Sequence, residues 1–455
     1  MDNNKSMING NIAATLIIFA IPILIGNIFQ QLYNVADTAV IGNFLGDKAL
    51  AAVGEASPVY NLIIGFANGL TNGFSVVIAR YYGANDKERL SKAVAYTYIL
   101  TGIFSILLTV ISLIGIKPLL VLLSTPKSII DDTTSYLVII LGTCMITMIY
   151  NMFAGLLRAL GNSRTPLYFL IVSSIVNVVL DIFFVSNLKL GIKGAAYATV
   201  IAQIVSVIMC IIYIMKKCPL LRFNKKFAGF DKVLVNDIFL TGISMGLMLG
   251  VVSIGSVALQ GAVNTLGTDI ITAHTAARKI DDIFMLPLGT FAISASTFAS
   301  QNFGAGKMNR VKKGIGTALL ISVCWSIFST LAVIVAGKFM ITAISGSSNY
   351  IVISNALKYM RINTPLFIIL SVLLTFRSSL QRLGRKIVPL SASIIELVSK
   401  FVAAAFIVPI MGYNGICILE PIIWIICAIP VSIDFFSLIK RNKLFENQQA
   451  TANSF

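Results

Sequence analysis

Charge is scarce in this chain of 455 residues: 12% are Asp, Glu, Lys or Arg, against about 25% in an ordinary soluble domain. With 57% of residues hydrophobic, too few polar side chains remain to cover a water-facing surface. A soluble enzyme, a secreted disulfide scaffold and a disordered chain are all excluded. Histidine occurs once, at His274, which excludes a histidine-built metal centre. No HExxH occurs, and the one GxSxG match, Gly242-Ile243-Ser244-Met245-Gly246, lies inside the apolar run 237–264 without a strand-turn-helix context, so an integral-membrane enzyme has no recognisable machinery and the protein is read as a non-enzyme. The six cysteines (Cys144, Cys210, Cys218, Cys324, Cys417 and Cys427) lack CxxC spacing and sit mostly in apolar runs. They are expected to pack as small hydrophobes. Acids are scarcer than bases, 18 against 35, for a net charge of +17. In a soluble protein that surplus would point to nucleic acid; in an apolar chain it is first a question of membrane orientation.

Twelve apolar runs long enough to span a bilayer follow one another, at 12–41, 50–79, 93–116, 133–157, 166–186, 191–215, 237–264, 271–301, 314–336, 351–376, 388–408 and 412–439. Each reaches roughly 20 residues, the length of a transmembrane helix. With the N-terminus inside, 24 of the 35 basic residues fall on the inner side. Only six, Lys48, Lys117, Lys127, Lys189, Lys193 and Lys338, fall outside. That bias predicts a multi-pass protein of the plasma (inner) membrane with both termini cytoplasmic. The short polar N-terminus carries no A-x-A site, so no cleaved signal peptide is expected.

The chain is one unit written twice. NFLGDKALAAV at 43–53 aligns with NTLGTDIITAH at 264–274, and Gly83-Ala84 with Gly304-Ala305, both at an offset of 221. Leu160-Gly161-x4-Pro166 matches Leu383-Gly384-x4-Pro389 at 223, and Gly191-x-x-Gly194 matches Gly412-x-x-Gly415 at 221. The expected fold is therefore all-α and integral to the membrane: two homologous six-helix bundles around a central cavity. Residues 1–220 form the first lobe and 221–455 the second, with 216–236 as a basic cytoplasmic linker. Six is even, so both halves cross in the same sense, the arrangement of an alternating-access transporter.

Ionisable residues inside spans are functional candidates unless an opposite charge explains them. Gln30, Asn34, Asp37 and Ile41 share one face of the first span, and Asn177 lies one turn before Asp181 in the fifth. Apart from Lys193 at the very start of the sixth, no Lys or Arg lies inside an N-half span. Asp37 and Asp181 must then be balanced by a proton, a metal cation, water or a cationic substrate. The C half differs: Arg278–Asp282 and Glu396–Lys400 are i, i+4 pairs that can satisfy themselves, leaving Asp281 without an obvious partner. In the repeat, Asp37 maps to Ala258, Asp181 to Ala404, Asn177 to Lys400 and Thr199 to Glu420. Lys400 and Glu420 are therefore expected side by side, as a fixed replacement for an exchangeable cation. Uncharged stripes complete the interior: Asn61, Gly65, Asn68, Asn72 and Ser75 on the second span, and Ser253, Ser256, Gln260 and Asn264 on the seventh. Such stripes face other helices or a wet cavity. Gln30, Asn34, Asn61, Asn68 and Gln260 are taken as candidate cavity residues. Pro22 is expected to kink the first helix and, on the sharper reading, to re-aim Asp37 between states.

Pro22 with Asp37 fifteen residues later, NFLGDKALAAVG, RALGNSRTP at 158–166 and QNFGAG at 301–306 together carry a resemblance. Over nearly its whole length the chain resembles the multidrug and toxic-compound extrusion (MATE) family. The resemblance implies efflux of amphipathic, often cationic organic compounds driven by inward Na⁺ or H⁺, with Asp37, Asn177, Asp181 and Thr199 carrying the coupling cation. Some branches of the family place a Glu in the seventh span and an Asp in the tenth. Here the seventh span carries only Asp237 and the tenth carries no acid, so coupling is expected in the first lobe. No cofactor is expected beyond the coupling ion, and the partners are small organic cations and the lipid bilayer, not nucleic acid, for a chain acting as a monomer. A lipid-linked glycan flippase of the same superfamily ranks second, because its anionic cargo calls for cavity Arg or Lys that the first half lacks.

Overall fold

The computed structural model describes residues 7–123, 125–223 and 231–452, with side chains up to residue 440. The inter-lobe segment expected at 216–236 is thus described only in part, residues 224–230 lying outside. All regular structure among the described residues is helical. The spans are α1 (Ile12–Leu45), α2 (Asp47–Gly83), α3 (Lys87–Leu122), α4 (Ile130–Gly142 and Cys144–Ala159), α5 (Arg164–Asn187) and α6 (Ile192–Lys217). They continue with α7 (Lys232–Asn264), α8 (Thr268–Gly304), α9 (Met308–Ser345), α10 (Tyr350–Arg382), α11 (Ile387–Met411) and α12 (Tyr413–Lys440). The twelve expected spans are all present, but α4 is broken, its two segments meeting at 46°.

These helices are amphipathic the wrong way round for water. On α3, Thr97, Thr101, Ser105 and Ser112 are buried while Ile99, Ile103, Ile106 and Ile114 are exposed. On α9, Ser322, Ser326 and Ser329 are buried while Leu320, Ile327, Leu331 and Val335 are exposed. Hydrocarbon supplies no hydrophobic drive between helices, so small polar residues line the packed faces and large apolar ones face lipid. Many buried hydroxyls bond back to their own helix, as Ser105 Oγ does to Gly102 O at 2.8 Å and Ser326 Oγ to Ser322 O at 2.8 Å.

The repeat extends to backbone detail. Gly46 and Gly267 sit at φ +78° and +93°, Gly161 and Gly384 at +85° and +89°, and Gly191 and Gly412 at +62° and +57°. At these turns a side chain would be strained. The α2–α3 turn uses Asn85 at φ +55°, where its repeat partner is Gly306 at +69°, in keeping with the tolerance of Asn for this region. A π-helical turn closes α5 at Phe183–Asn187 and recurs in α11 at Ala403–Ile407. This offset of 220 shows that α5 and α11 change register by three residues along their length. Measured from the π turn, the counterpart of Asp181 is Phe401, whereas the upstream offset of 223 gives Ala404. Either way the acid is absent from the second half.

The chain packs as two units, one of Ile21–Ser253 and one joining Met7–Ala20 to the chain from Ile254 onward. The division inside α1 falls just before Pro22. In the first unit α2 and α7 approach backbone to backbone: a Cβ on Gly69 would collide with the Met245 carbonyl, and one on Gly73 would lie 2.6 Å from Gly242 Cα. In the second unit the repeat-related position of α8 is Ser294, which instead donates to Leu16 O at 3.0 Å.

Candidate cation site

The first unit brings the sequence-predicted quartet together from three helices. Asp37 comes from α1, Asn177 and Asp181 from α5, and Thr199 from α6. All are buried, Asp181 completely and Asp37 with 8% exposure. Asn177 Nδ2 donates to Thr199 Oγ1 at 3.3 Å, and Thr199 Oγ1 donates to Ala195 O at 3.1 Å. The two carboxylates are neighbours, and neither forms an ion pair with a basic side chain among the described residues. Four buried oxygens, Asp37 Oδ1, Asn177 Oδ1 and both of Asp181, have no hydrogen-bond donor.

Leaving one buried acceptor unsatisfied costs about 1–3 kcal/mol and more for a charged group, so four at one point describe a site built for a ligand. Every orphan is an oxygen, the donor set of a hard cation. No group of three or more His, Cys, Asp or Glu placed to hold a metal ion occurs among the described residues. Two carboxylates with neutral oxygens could hold a monovalent ion and carry too little negative charge for a divalent cage. A proton fits equally, since it neutralises one carboxylate of an adjacent pair that cannot both be charged cheaply.

Three tyrosines frame the pair. Tyr33 OH donates to Thr199 Oγ1 at 3.3 Å, and Tyr60 and Tyr136 also lie within electrostatic reach of Asp37. Only Tyr33 had a usable sequence signal, its position one turn before Asp37. The polar stripe of α2 is taken up inside the same unit. Asn68 Oδ1 accepts from Asn151 Nδ2 at 2.6 Å, Asn72 Oδ1 accepts from Arg158 at 3.5 Å, and Gly65 faces Ser253. Gln30, Asn34 and Asn61 are exposed on the unit's surface. Gln260 is exposed as well and donates to Asn264 Oδ1 at 2.9 Å.

The second unit fills the equivalent place with charge pairs. Lys400 Nζ lies 3.0 Å from Glu396 and 3.6 Å from Glu420, so the expected Lys400–Glu420 proximity holds. The pairs extend at both ends: Arg377 reaches Glu396 at 3.5 Å, and Arg278 reaches Glu420 at 3.9 Å and Asp282 at 3.5 Å. Arg377, counted from sequence among the inner-side charges, is 8% exposed and belongs to this buried chain. Asp281 is completely buried, and neither of its oxygens has a hydrogen-bond partner. His274 packs edge-on against Tyr359 and Tyr413. The cysteines are free, five buried and Cys324 exposed.

The family model MatE matches residues 22–183 and 239–406, once in each half. The "Probable multidrug resistance protein YoeA" of Bacillus subtilis (strain 168) is 30% identical over 312 residues, 67% of either chain. Multidrug export protein MepA of Staphylococcus aureus (strain NCTC 8325 / PS 47) is 23% identical over 326 residues, covering 70% of this chain and 72% of that one. A solved MOP superfamily transporter from Pyrococcus furiosus superposes with a TM-score of 0.89 at 22% identity, covering 97% of this chain and 99% of the other, and so shares the fold. Matched in both halves by one model and along two thirds of its length by such a relative, the chain belongs to the MATE family of multidrug efflux transporters.

Proposed function

We propose that the protein is a secondary antiporter of the plasma membrane, with both termini cytoplasmic, that exports amphipathic organic cations in exchange for inward Na⁺ or H⁺. The observation that carries this reading is the set of four donor-less buried oxygens around Asp37, Asn177 and Asp181, with no basic side chain among the described residues paired to either acid. Thr199 completes the ligand set through its hydroxyl. A carboxylate pair in a low-dielectric interior balances one cation at a time. Binding of the coupling ion therefore opposes a cationic substrate, and the ion's differential affinity for the outward- and inward-facing states drives their exchange. The chain acts as a monomer, each copy carrying its own site. The relatives named for multidrug resistance and export support the substrate class, and the flippase reading has no observation in its favour.

The test is efflux of a fluorescent organic cation from proteoliposomes holding the purified protein under an imposed Na⁺ gradient, an imposed pH gradient, or neither. Transport is expected under one of the two gradients and absent without either. Equal transport under all three conditions would remove the antiport reading.

A further inference from the structure

The ion pairs around Lys400 are made without Asp281. Three cations, Arg278, Arg377 and Lys400, link three carboxylates, Asp282, Glu396 and Glu420, through contacts of 3.0–3.9 Å. Asp281 stands beside this chain and outside it. It is 0% exposed, and neither Oδ1 nor Oδ2 has a hydrogen-bond partner. Arg278, one turn earlier on α8, is already committed to Asp282, Glu420 and the Tyr359 hydroxyl, which it meets at 3.4 Å. No basic residue lies within ion-pair distance of Asp281 among the described residues.

The groups that face Asp281 come from each helix packed around it. They are Arg278 and Asp282 on α8 itself, Glu420 and Tyr413 on α12, and Tyr359 on α10. From α9, Trp325 approaches this part of α8 and spends its indole N–H on Phe284 O at 2.9 Å. His274, one turn before Arg278, shares a 3.4 Å contact with the Tyr413 hydroxyl. An ionised Asp281 would leave two fully buried carboxylate oxygens with neither a hydrogen-bond donor nor a basic group at ion-pair distance, a costly arrangement in a membrane interior. A metal ion is disfavoured by the neighbouring guanidinium and by the want of further carboxylates. A proton needs neither.

We propose that Asp281 is a proton-binding site of its own, separate from the Asp37 and Asp181 site and occupied when the second unit's charge chain is intact. One carboxylate oxygen takes a proton from water and returns it to water; no other bond changes. Loss of that proton makes Asp281 a competitor for Arg278, so its occupancy is linked to the Arg278–Glu420 contact and through Glu420 to Lys400. This goes beyond the antiport reading and stands independently of it.

The experiment is infrared difference spectroscopy of the purified full-length protein titrated with acid, following the carbonyl stretch of protonated carboxyl groups. It is run on wild type, on Asp37→Asn/Asp181→Asn, and on each background with Asp281→Asn added. The Asp37→Asn/Asp181→Asn protein is expected to keep a protonated-carboxyl band that disappears when Asp281→Asn is added, with about one proton fewer taken up per molecule. Thermal stability should be little changed by Asp281→Asn, because the remaining pairs stay balanced. A band untouched by Asp281→Asn overturns the proposal. So does a marked loss of stability in Asp281→Asn that Asp281→Glu restores, since that marks a permanently ionised partner of Arg278. Failure of gradient-driven efflux in Asp37→Asn/Asp181→Asn bears only on the first site and leaves this band to be read separately.

Discussion

Both halves of the molecule build the same scaffold, with left-handed glycines in the same turns and a π turn in the same helix, yet fill it with opposite electrostatics. Around Asn177 and Thr199, whose side chains meet at 3.3 Å, two carboxylates lack any fixed counter-charge. Around Lys400 and Glu420, which meet at 3.6 Å, the counter-charge is covalently part of the chain. An ammonium on a lysine cannot leave, whereas a bound ion can. The difference teaches that one half leaves its paired acids open, as the proposed cation exchange requires, while the other fills the same place with a fixed charge. The duplicated backbone supplied two candidate sites and substitution closed one of them.

The largest effect should come from breaking the open site. Asp37→Asn or Asp181→Asn removes the charge that binds the coupling ion while keeping the side chain's size. Gradient-driven efflux in proteoliposomes is expected to fall to the level of protein-free vesicles, with the protein still folded by thermal-shift measurement. Retained efflux in both variants would end the assignment.

Next in size is the closed site. Lys400→Met leaves Glu396 and Glu420 sharing too little positive charge in a buried place, and removing one partner of such a pair costs about 3–5 kcal/mol. The double change Lys400→Asn with Glu420→Thr installs the residues found at the matching positions of the first half. It removes one charge of each sign, leaving Arg377–Glu396 and Arg278–Asp282 balanced. Thermal unfolding in detergent should therefore show a large loss for the single variant and most of it recovered in the double. A double variant as unstable as the single would break the comparison between the halves.

Smaller again is the effect at the repeat-related helix crossings. Gly73→Ser in the first unit meets the Gly242 backbone, and overpacking of this kind costs about 1–3 kcal/mol. Its counterpart Ser294→Ala forfeits only the bond to Leu16 O, worth about 1 kcal/mol. Stability measurements on the two variants should rank in that order.

Much of this was legible in the sequence, because lipid simplifies the reading. Long apolar runs give spans, and a repeated offset gives the two halves. The quartet Asp37, Asn177, Asp181 and Thr199 was legible because helical spacing put Asn177 and Asp181 on one face, the first half held no intramembrane base, and the family resemblance tied Thr199 to both. The break in α4 was not, since Gly142-Thr143 is unremarkable until compared with its partner Thr364-Pro365, where α10 carries a 3-10 turn. Tyr60 and Tyr136 read as ordinary membrane aromatics, because nothing local distinguishes a tyrosine facing a carboxylate from one at the lipid interface. Arg377 was misplaced by its nearness to a helix end. Its pairing with Glu396 depends on α10 and α11 lying side by side, a tertiary fact that no spacing within either helix encodes.

The finest distinction between the two coupling ions rests on a single hydroxyl. Thr199 Oγ1 accepts from both Tyr33 and Asn177 at 3.3 Å while donating to Ala195 O, so its lone pairs are occupied by two long, weak bonds. For Thr199 to ligate Na⁺, one of those donors must let go. Tyr33→Phe removes one beforehand, at a saving near the net worth of a hydrogen bond, about 0.5–1.5 kcal/mol. Na⁺ binding by isothermal titration should therefore tighten by up to roughly tenfold in Tyr33→Phe, since about 1.4 kcal/mol is a factor of ten. A proton, which needs only a carboxylate oxygen, gains nothing from the vacated hydroxyl. Unchanged ion affinity with unchanged efflux would therefore remove Thr199 from the ligand set and favour proton coupling at Asp37 and Asp181.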